Sequence, residues 1–281
     1  MSVKLSVVIV HYRTPALLRA CLRALAASTQ PAEIIVVDND GSAAEIAAEF
    51  PDTVYLPQSE NRWFCGGNNV GIAAARGDYV LLLNPDTEPQ PDALRVLVDF
   101  MDAQPDYSGA TLQMRYPDGR IQRTCSRVPT YAYLLLNHTP LGWLLRGRRA
   151  AINARHWYAG WNRDTAQDVE VMPGSCLLLR RGDLRLNERL RLYFPEDDLG
   201  RRLAGRKFRF LSDTFITHHE KAATRSWLAT QVYYDDLLLY TRTHHGAARA
   251  ALLWLLSRPL LWGMALKNAL AGRRVGQKDS G

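Results

Sequence analysis

Leu81-Leu82-Leu83-Asn84-Pro85-Asp86-Thr87-Glu88 is the stretch on which the fold turns. The leucines end an apolar run that reads as a buried strand, and the run stops at Pro85. It therefore delivers one carboxylate, Asp86, to a strand's carboxyl end. Open α/β sheets bind ligands in the crevice beyond those ends. A single acid there suits a divalent cation held mainly by a substrate's phosphates, because Mg²⁺-like ions use one or two protein carboxylates and leave the other positions to phosphate and water. The same residues also read as an ordinary type I turn, for which Pro-Asp is common chemistry.

Outward from that strand the chain alternates. Strands are expected at 5–10, 34–37, 54–56 and 79–83, with helices at 15–27, 43–50, 68–76 and 91–103. Thr14 is placed to cap the first helix, and Pro15 takes its first position. This rhythm predicts an α/β fold: a single Rossmann-like, mostly parallel sheet with helices on both faces. From 115 to 168 the rhythm fails in a stretch rich in Tyr, Trp and Arg, which reads as an irregular insertion or lid over the sheet's carboxyl edge. Regular structure returns at 169–180, a short helix begins near Glu196, and a last strand covers 207–211. The final ~50 residues read as helical, broken at Pro259. Two parts are expected, 1–225 and a helical segment 226–281.

The chain has 281 residues, 47% apolar and 22% charged, ordinary values for a globular protein with a sizeable core. Cys21, Cys65, Cys125 and Cys176 match no metal or disulfide spacing and read as reduced thiols of a cytoplasmic protein. The apolar opening is too short for a signal-peptide core, and no uncharged apolar segment reaches the ~18 residues that span a bilayer. The net charge of +7 is unevenly placed: from Arg242 onward seven bases face one acid, a net +6. Those bases are interleaved with Leu252, Trp254, Leu256, Trp262 and Leu266. Long basic side chains snorkel while an apolar body lies among headgroups, so the pattern predicts amphipathic helices on the anionic inner face of the cell membrane rather than a nucleic-acid partner. The plainer alternative is a helix pair packed on its own core or on a second subunit.

Four other features bear on chemistry. Asp38 ends the second strand, where it can accept a hydrogen bond from a nucleobase or ribose or serve as an Asx-turn cap. Phe64-Cys65-Gly66-Gly67-Asn68-Asn69-Val70-Gly71 reads as a glycine-rich strand-to-helix loop, able to approach a phosphate or simply to turn the chain. Glu196, Asp197 and Asp198 crowd three acids together. Like charges raise one another's pKa, which suits a general base, although acids also partner a helix dipole. His218-His219-Glu220 could add one imidazole to a cation.

In this order and spacing, from about Leu5 to Ser226, the residues resemble the family 2 inverting glycosyltransferases of the GT-A fold, in the rhamnosyltransferase-like branch. The resemblance implies a nucleotide-diphospho-sugar donor, with dTDP-rhamnose the best guess, and a glycan or lipid-linked acceptor in cell-surface polysaccharide synthesis. It implies a Mg²⁺ or Mn²⁺ ion held by Asp86 and His218. It places the donor against Val10, Tyr12, Asp38, Gly66, Gly67, Asn68 and Asn84. Asn84 stands where most members have the first acid of D-x-D. The acidic motif is one residue shorter than usual, so the base is Asp197 or, in a shifted register, Glu196; Asp198 orients the helix or binds acceptor. Rival readings are a dehydrogenase, which lacks its G-x-G-x-x-G after the first strand, a nucleotidyltransferase, and a catalytically decayed nucleotide-sugar-binding protein.

Overall fold

The computed structural model describes residues 3–220 and 227–276. Strand β1 (Leu5–His11) alternates about its pleat: Leu5, Val7 and Ile9 enter the main apolar core, while Val8 and Val10 face a helix on the other side. It pairs in parallel with β2 (Glu33–Asp38), which pairs in parallel with β3 (Val54–Pro57). On its other side β1 pairs in parallel with β4 (Tyr79–Leu83), buried along its whole length. Helices α1 (Pro15–Ala26), α2 (Ala44–Glu49) and α3 (Trp63–Ala74) lie between these strands in the chain. Leu18, Leu22 and Leu25 of α1 join the core with Leu94, Leu97 and Met101 of α4 (Ala93–Ala103). Each such side chain contributes roughly 1.5–3 kcal/mol when fully buried. Thr14 does stand at the N-cap of α1, but its side chain makes no capping bond there.

The sheet continues through short β5 (Thr87–Pro89), then β6 (Tyr107–Arg115), β7 (Gln167–Val169), β8 (Cys176–Arg180) and β9 (Lys207–His218). The spatial order is β3-β2-β1-β4-β8-β6-β9-β5, with β7 also on β9. The parallel half is β3 to β4; antiparallel β8 enters beside β4, so the sheet as a whole is mixed. Helix α8 (Pro195–Arg202) precedes β9. The last strand runs seven residues past the expected end at Leu211, to His218. A register shift after Leu112 opposite Leu211 absorbs the polar Ser212-Asp213-Thr214.

The stretch expected to be irregular contains three helices, α5 (Tyr131–His138), α6 (Leu141–Leu144) and α7 (Arg146–His156). The aromatic and arginine side chains that obscured the pattern are used locally. Thr130 caps α5, the Tyr133 ring stacks on His156, and Asn137 pairs with Asn153. The C-terminal part forms α9 (Trp227–His245) and α10 (Ala247–Gly276). The break falls at Gly246, whose φ of +93° suits glycine, and α10 continues through Pro259.

Two compact units result. One comprises Met1–Val128 and Gly160–Ala222, the other Pro129–Ala159 and Ala223–Gly281, counting the described residues of each. The 115–168 segment is therefore divided: its helices group with α9 and α10 and its flanks with the sheet. The boundary expected at 225–226 lies outside the described residues. No helix among the described residues is long and apolar enough to cross a membrane.

Candidate active site

The carboxyl edge of the parallel half gathers the chemistry. His11 at the end of β1 lies in register with Asp38 at the end of β2, and Asn84 follows β4 on the same edge. Because β8 is antiparallel, its approach, Pro173-Gly174-Ser175, reaches that edge too, and the Asn84 amide donates to the Ser175 carbonyl (3.2 Å). Gly174 in turn lies against Glu196 Oε2 and the Phe64 ring. The amides of Phe64 and Cys65, opening α3, donate to the Arg191 carbonyl just before α8. Four non-glycine residues in these edge loops take positive φ: Arg13, Trp63, Phe194 and Glu220. Strain of this kind persists where surroundings enforce it and concentrates at ligand sites.

Asp38 is the residue whose role changes most. It is fully buried, and both oxygens are engaged by the protein. Oδ1 accepts from the amides of Asp40 and Gly41, and Oδ2 from the Ala43 amide and the Tyr55 hydroxyl. His11 Nδ1 is 3.2 Å from Oδ1. Burial opposes the anion, but the hydrogen bonds from Ala43, Tyr55, His11 and Asp40 outweigh it and hold the carboxyl at about 2. Of the two roles expected for Asp38, the structure shows the Asx-turn: its side chain anchors the 39–43 loop with both oxygens engaged. Tyr12, half-buried beside it with the Arg13 guanidinium over its ring, remains on the edge.

His11, Asp38 and Asp40 form the one cluster of three potential metal ligands found among the described residues. Its chemistry does not fit a cation. The Thr14 amide donates to His11 Nε2 (3.1 Å), which puts the proton of the neutral ring on Nδ1, facing Asp38 and Asp40. No imidazole lone pair is left over.

Asp86 and His218 do fit. His218 Nε2 is 3.4 Å from Asp86 Oδ1, a spacing near the roughly 3 Å between adjacent ligands of an octahedral Mg²⁺-like ion. Thr87 faces His218 across the β5–β9 ladder, and the His219 amide donates to the Asp86 carbonyl. Sequence reading missed the residue that sets the histidine. The Gln122 side-chain amide donates to the His218 carbonyl (2.7 Å), which can only accept, so its oxygen must face His218 Nδ1 (2.8 Å). That arrangement protonates Nδ1 and turns the Nε2 lone pair toward Asp86. No signal in the sequence links Gln122 to a residue 96 positions away.

The glycine-rich segment is not a loop. It is the first half of α3, and a side chain on Gly67 would lie 2.8 Å from Val10 and one on Gly71 2.2 Å from Val8. These glycines bring the helix onto β1; Gly66 packs against Arg62, and buried Asn68 donates to the Phe64 carbonyl. The expected loop is therefore corrected to a helix, and packing against β1 accounts for Gly67 and Gly71. Asn69, by contrast, clamps the 186–188 loop through Leu186 and Glu188.

Glu196, Asp197 and Asp198 occupy the first turn of α8. Asp198 is buried and accepts from Arg202 Nε (2.7 Å), one turn on, so it orients the helix. Half-buried Asp197 makes no hydrogen bond or ion pair with any described residue. Burial, then the neighbouring Glu196 and Asp198, pushes its carboxyl well above the usual range. Burial also raises Glu196, partly offset by its own amide. An unengaged carboxylate of raised basicity at a sheet edge is equipped to accept a proton.

Comparison with known proteins bears on the family and the fold. The model of glycosyl transferase family 2 matches residues 6–185. The chain belongs to that family. It is thus a glycosyltransferase, and the edge described above is its candidate active site. An N-acetylglucosaminyl-diphospho-decaprenol L-rhamnosyltransferase of Mycobacterium tuberculosis is 26% identical over 90% of this chain and 89% of its own length. The succinoglycan biosynthesis protein ExoO of Rhizobium meliloti is 34% identical over 34% of this chain and 29% of its own. The fold is shared with S. aureus TarS 1-349 (TM-score 0.52, 16% identity, 86% of this chain and 73% of that one). It is shared also with the same protein in complex with UDP-GlcNAc (TM-score 0.54, 16% identity, 85% and 66%).

Proposed function

We propose that this glycosyltransferase moves rhamnose from dTDP-rhamnose to a hydroxyl of a lipid-linked glycan, with inversion, at the cytoplasmic face of a membrane. The observation that carries the reading is Asp197: a basic, unengaged carboxylate at the same edge as Asp86 and His218. The name of the mycobacterial relative supports a rhamnosyl donor and a lipid-diphosphate acceptor.

In this account the donor lies across the strand ends near Val10 and Tyr12. Asp86 and His218 would hold a divalent ion, whose chemistry is to offset the charge that grows on the departing diphosphate. Asp197 takes the proton of the acceptor hydroxyl as that oxygen attacks the anomeric carbon from the face opposite the diphosphate. One C–O bond forms while the bond to the diphosphate breaks, its electron pair leaving with the phosphate. A single displacement inverts the centre, and no sugar–enzyme bond forms (contrast retaining hydrolases). Asp198 and Arg202 keep α8 oriented, and Asp38 keeps the 39–43 loop closed beside the donor.

A ligand that binds only the folded protein raises its apparent stability by mass action. The test is a thermal-shift panel of dTDP, UDP, GDP and their sugar forms, with and without Mn²⁺. The account expects the largest shift with dTDP-rhamnose plus Mn²⁺. A panel in which no sugar nucleotide moves the midpoint contradicts it. The basic C-terminal helices are proposed as a membrane attachment, since α10 leaves Leu252, Trp254, Leu255, Trp262 and Leu266 exposed.

A further inference from the structure

Exposed apolar side chains are distributed very unevenly. Of the eleven large ones among the described residues, ten lie in the helical unit and only Ile121 in the sheet unit. Seven of those ten belong to α9 and α10, as the membrane reading expects. The other three, Trp143, Leu144 and Leu145, sit at the turn from α6 into α7. Trp143 is 59% exposed and Leu144 79%. Directly behind them come Arg146 and Arg148, both exposed, and residues 129–159 contain four arginines with no Asp or Glu.

The turn is held firmly at its base. A side chain on Gly142 would lie 2.0 Å from the Leu136 carbonyl, so glycine lets α6 seat directly on α5. Arg149 Nε donates to Asn137 Oδ1, Asn137 pairs with Asn153, and the Tyr133 ring stacks on His156, fixing α7 on the same helix. Arg146 Nε donates to the Trp143 carbonyl and braces the turn itself. A tryptophan and a leucine are thus presented outward from a packed platform, ringed by cations.

We propose that this turn is a second membrane contact, with Trp143 and Leu144 entering the headgroup region of an anionic phospholipid bilayer and Arg146 and Arg148 meeting its phosphates. The proposal rests on the membrane-surface reading of α10 and adds a part of the chain far from the tail. Tryptophan suits the interface because its ring is apolar and its N–H is wet, and arginine beside it can snorkel. A second copy of the chain is disfavoured on this face, because two arginine clusters from a segment without Asp or Glu would meet. Helix α5 links the two contacts: it carries α6 and α7, and its Tyr131 hydroxyl donates to the Arg249 carbonyl of α10.

Flotation of the full chain with vesicles of phosphatidylcholine, alone or mixed equally with phosphatidylglycerol, tests this. Trp143→Ser with Leu144→Ser should weaken binding to the anionic vesicles about tenfold or more. Arg148→Gln leaves the Arg146 brace in place and should weaken binding to the anionic vesicles about fivefold, without changing binding to neutral vesicles. Trp262→Ser with Leu266→Ser probes the tail separately. Loss with both pairs supports two contacts; loss with the turn variants alone keeps this proposal and rejects the tail. Loss with the tail variant alone overturns the proposal and keeps the tail. No loss with any variant overturns both. A fall in mass by light scattering with vesicle binding unchanged would assign the turn to a contact between copies and also overturn it.

Discussion

Asp38 and Asp197 are both enclosed carboxyls, and their environments push them in opposite directions. Asp38 is held at about 2 against an ordinary 3.8, so its folded value lies below its unfolded one. The stability it gives is complete above the ordinary value and is lost as pH falls from about 4 to about 2. It amounts to about 2 kcal/mol. Asp38→Asn should remove that limb from a plot of unfolding free energy against pH, and urea titrations at several pH values check it. Asp197 has the reverse sign: its folded value is raised, so ionising it costs stability as pH rises past the ordinary carboxylate range. Asp197→Asn should raise the thermal midpoint at neutral pH, by about 2–4 °C for each kcal/mol of relieved cost, and the gain should vanish in acid. Gln122→Ala should weaken Mn²⁺ binding about 10- to 100-fold, read by electron paramagnetic resonance of the free ion in the presence of dTDP. The sequence marked Asp38 and Asp197 equally well as strand-end or helix-start acids. Their roles depend on Tyr55, His11 and the Ala43 amide in one case and on Glu196 and Asp198 in the other. Glu196 and Asp198 adjoin Asp197, and the Asp40, Gly41 and Ala43 amides lie within five residues of Asp38, so the Asx-turn could be read beforehand; the contributions of Tyr55 and His11, 17 and 27 positions away, could not.

Helix α3 shows how an element can carry a motif for a reason other than the one first read. Gly67 and Gly71 are four residues apart, so they share a helix face, and that face meets Val10 and Val8 of β1. Gly71→Ala should destabilise the protein by about 1–3 kcal/mol through overpacking. Pairing it with Val8→Ala should recover part of that loss, a coupling that chemical denaturation of both single variants and the double variant measures. A run of glycine and asparagine fits a loop and a tightly packed helix equally well until the opposing strand is known. Strand β6 was hidden for a related reason: Ser108, Gly109, Thr111 and Gln113 interrupt its apolar residues yet are buried. Thr111 donates to the Cys176 carbonyl and Gln113 to the Arg163 carbonyl. In contrast, β1 and β4 were legible because nearly every side chain is apolar and buried. The continuity of α10 through Pro259 was not, because a proline inside a helix can be accommodated as well as terminate it.

The two units divide the work by composition. The sheet unit carries the acidic edge, and the helical unit carries the chain's excess of bases and nearly all its exposed apolar side chains. Binding of the whole protein to anionic vesicles should therefore weaken with salt, since the Debye length shortens from about 10 Å at 0.1 M to about 3 Å at 1 M. The unevenness of charge was visible in the sequence; the membership of α5 to α7 in the helical unit was not, because it depends on contacts between distant parts of the chain, as between Tyr131 and Arg249, 118 positions apart. The claim on which the account stands is that Asp197 accepts the acceptor's proton. Its most direct test is the rate of rhamnose transfer from dTDP-rhamnose to an N-acetylglucosaminyl-diphospho-lipid by wild type and Asp197→Asn, with donor affinity measured alongside. The account predicts a fall in turnover of about 100- to 10,000-fold with donor affinity nearly unchanged. Near-normal turnover in the variant contradicts it.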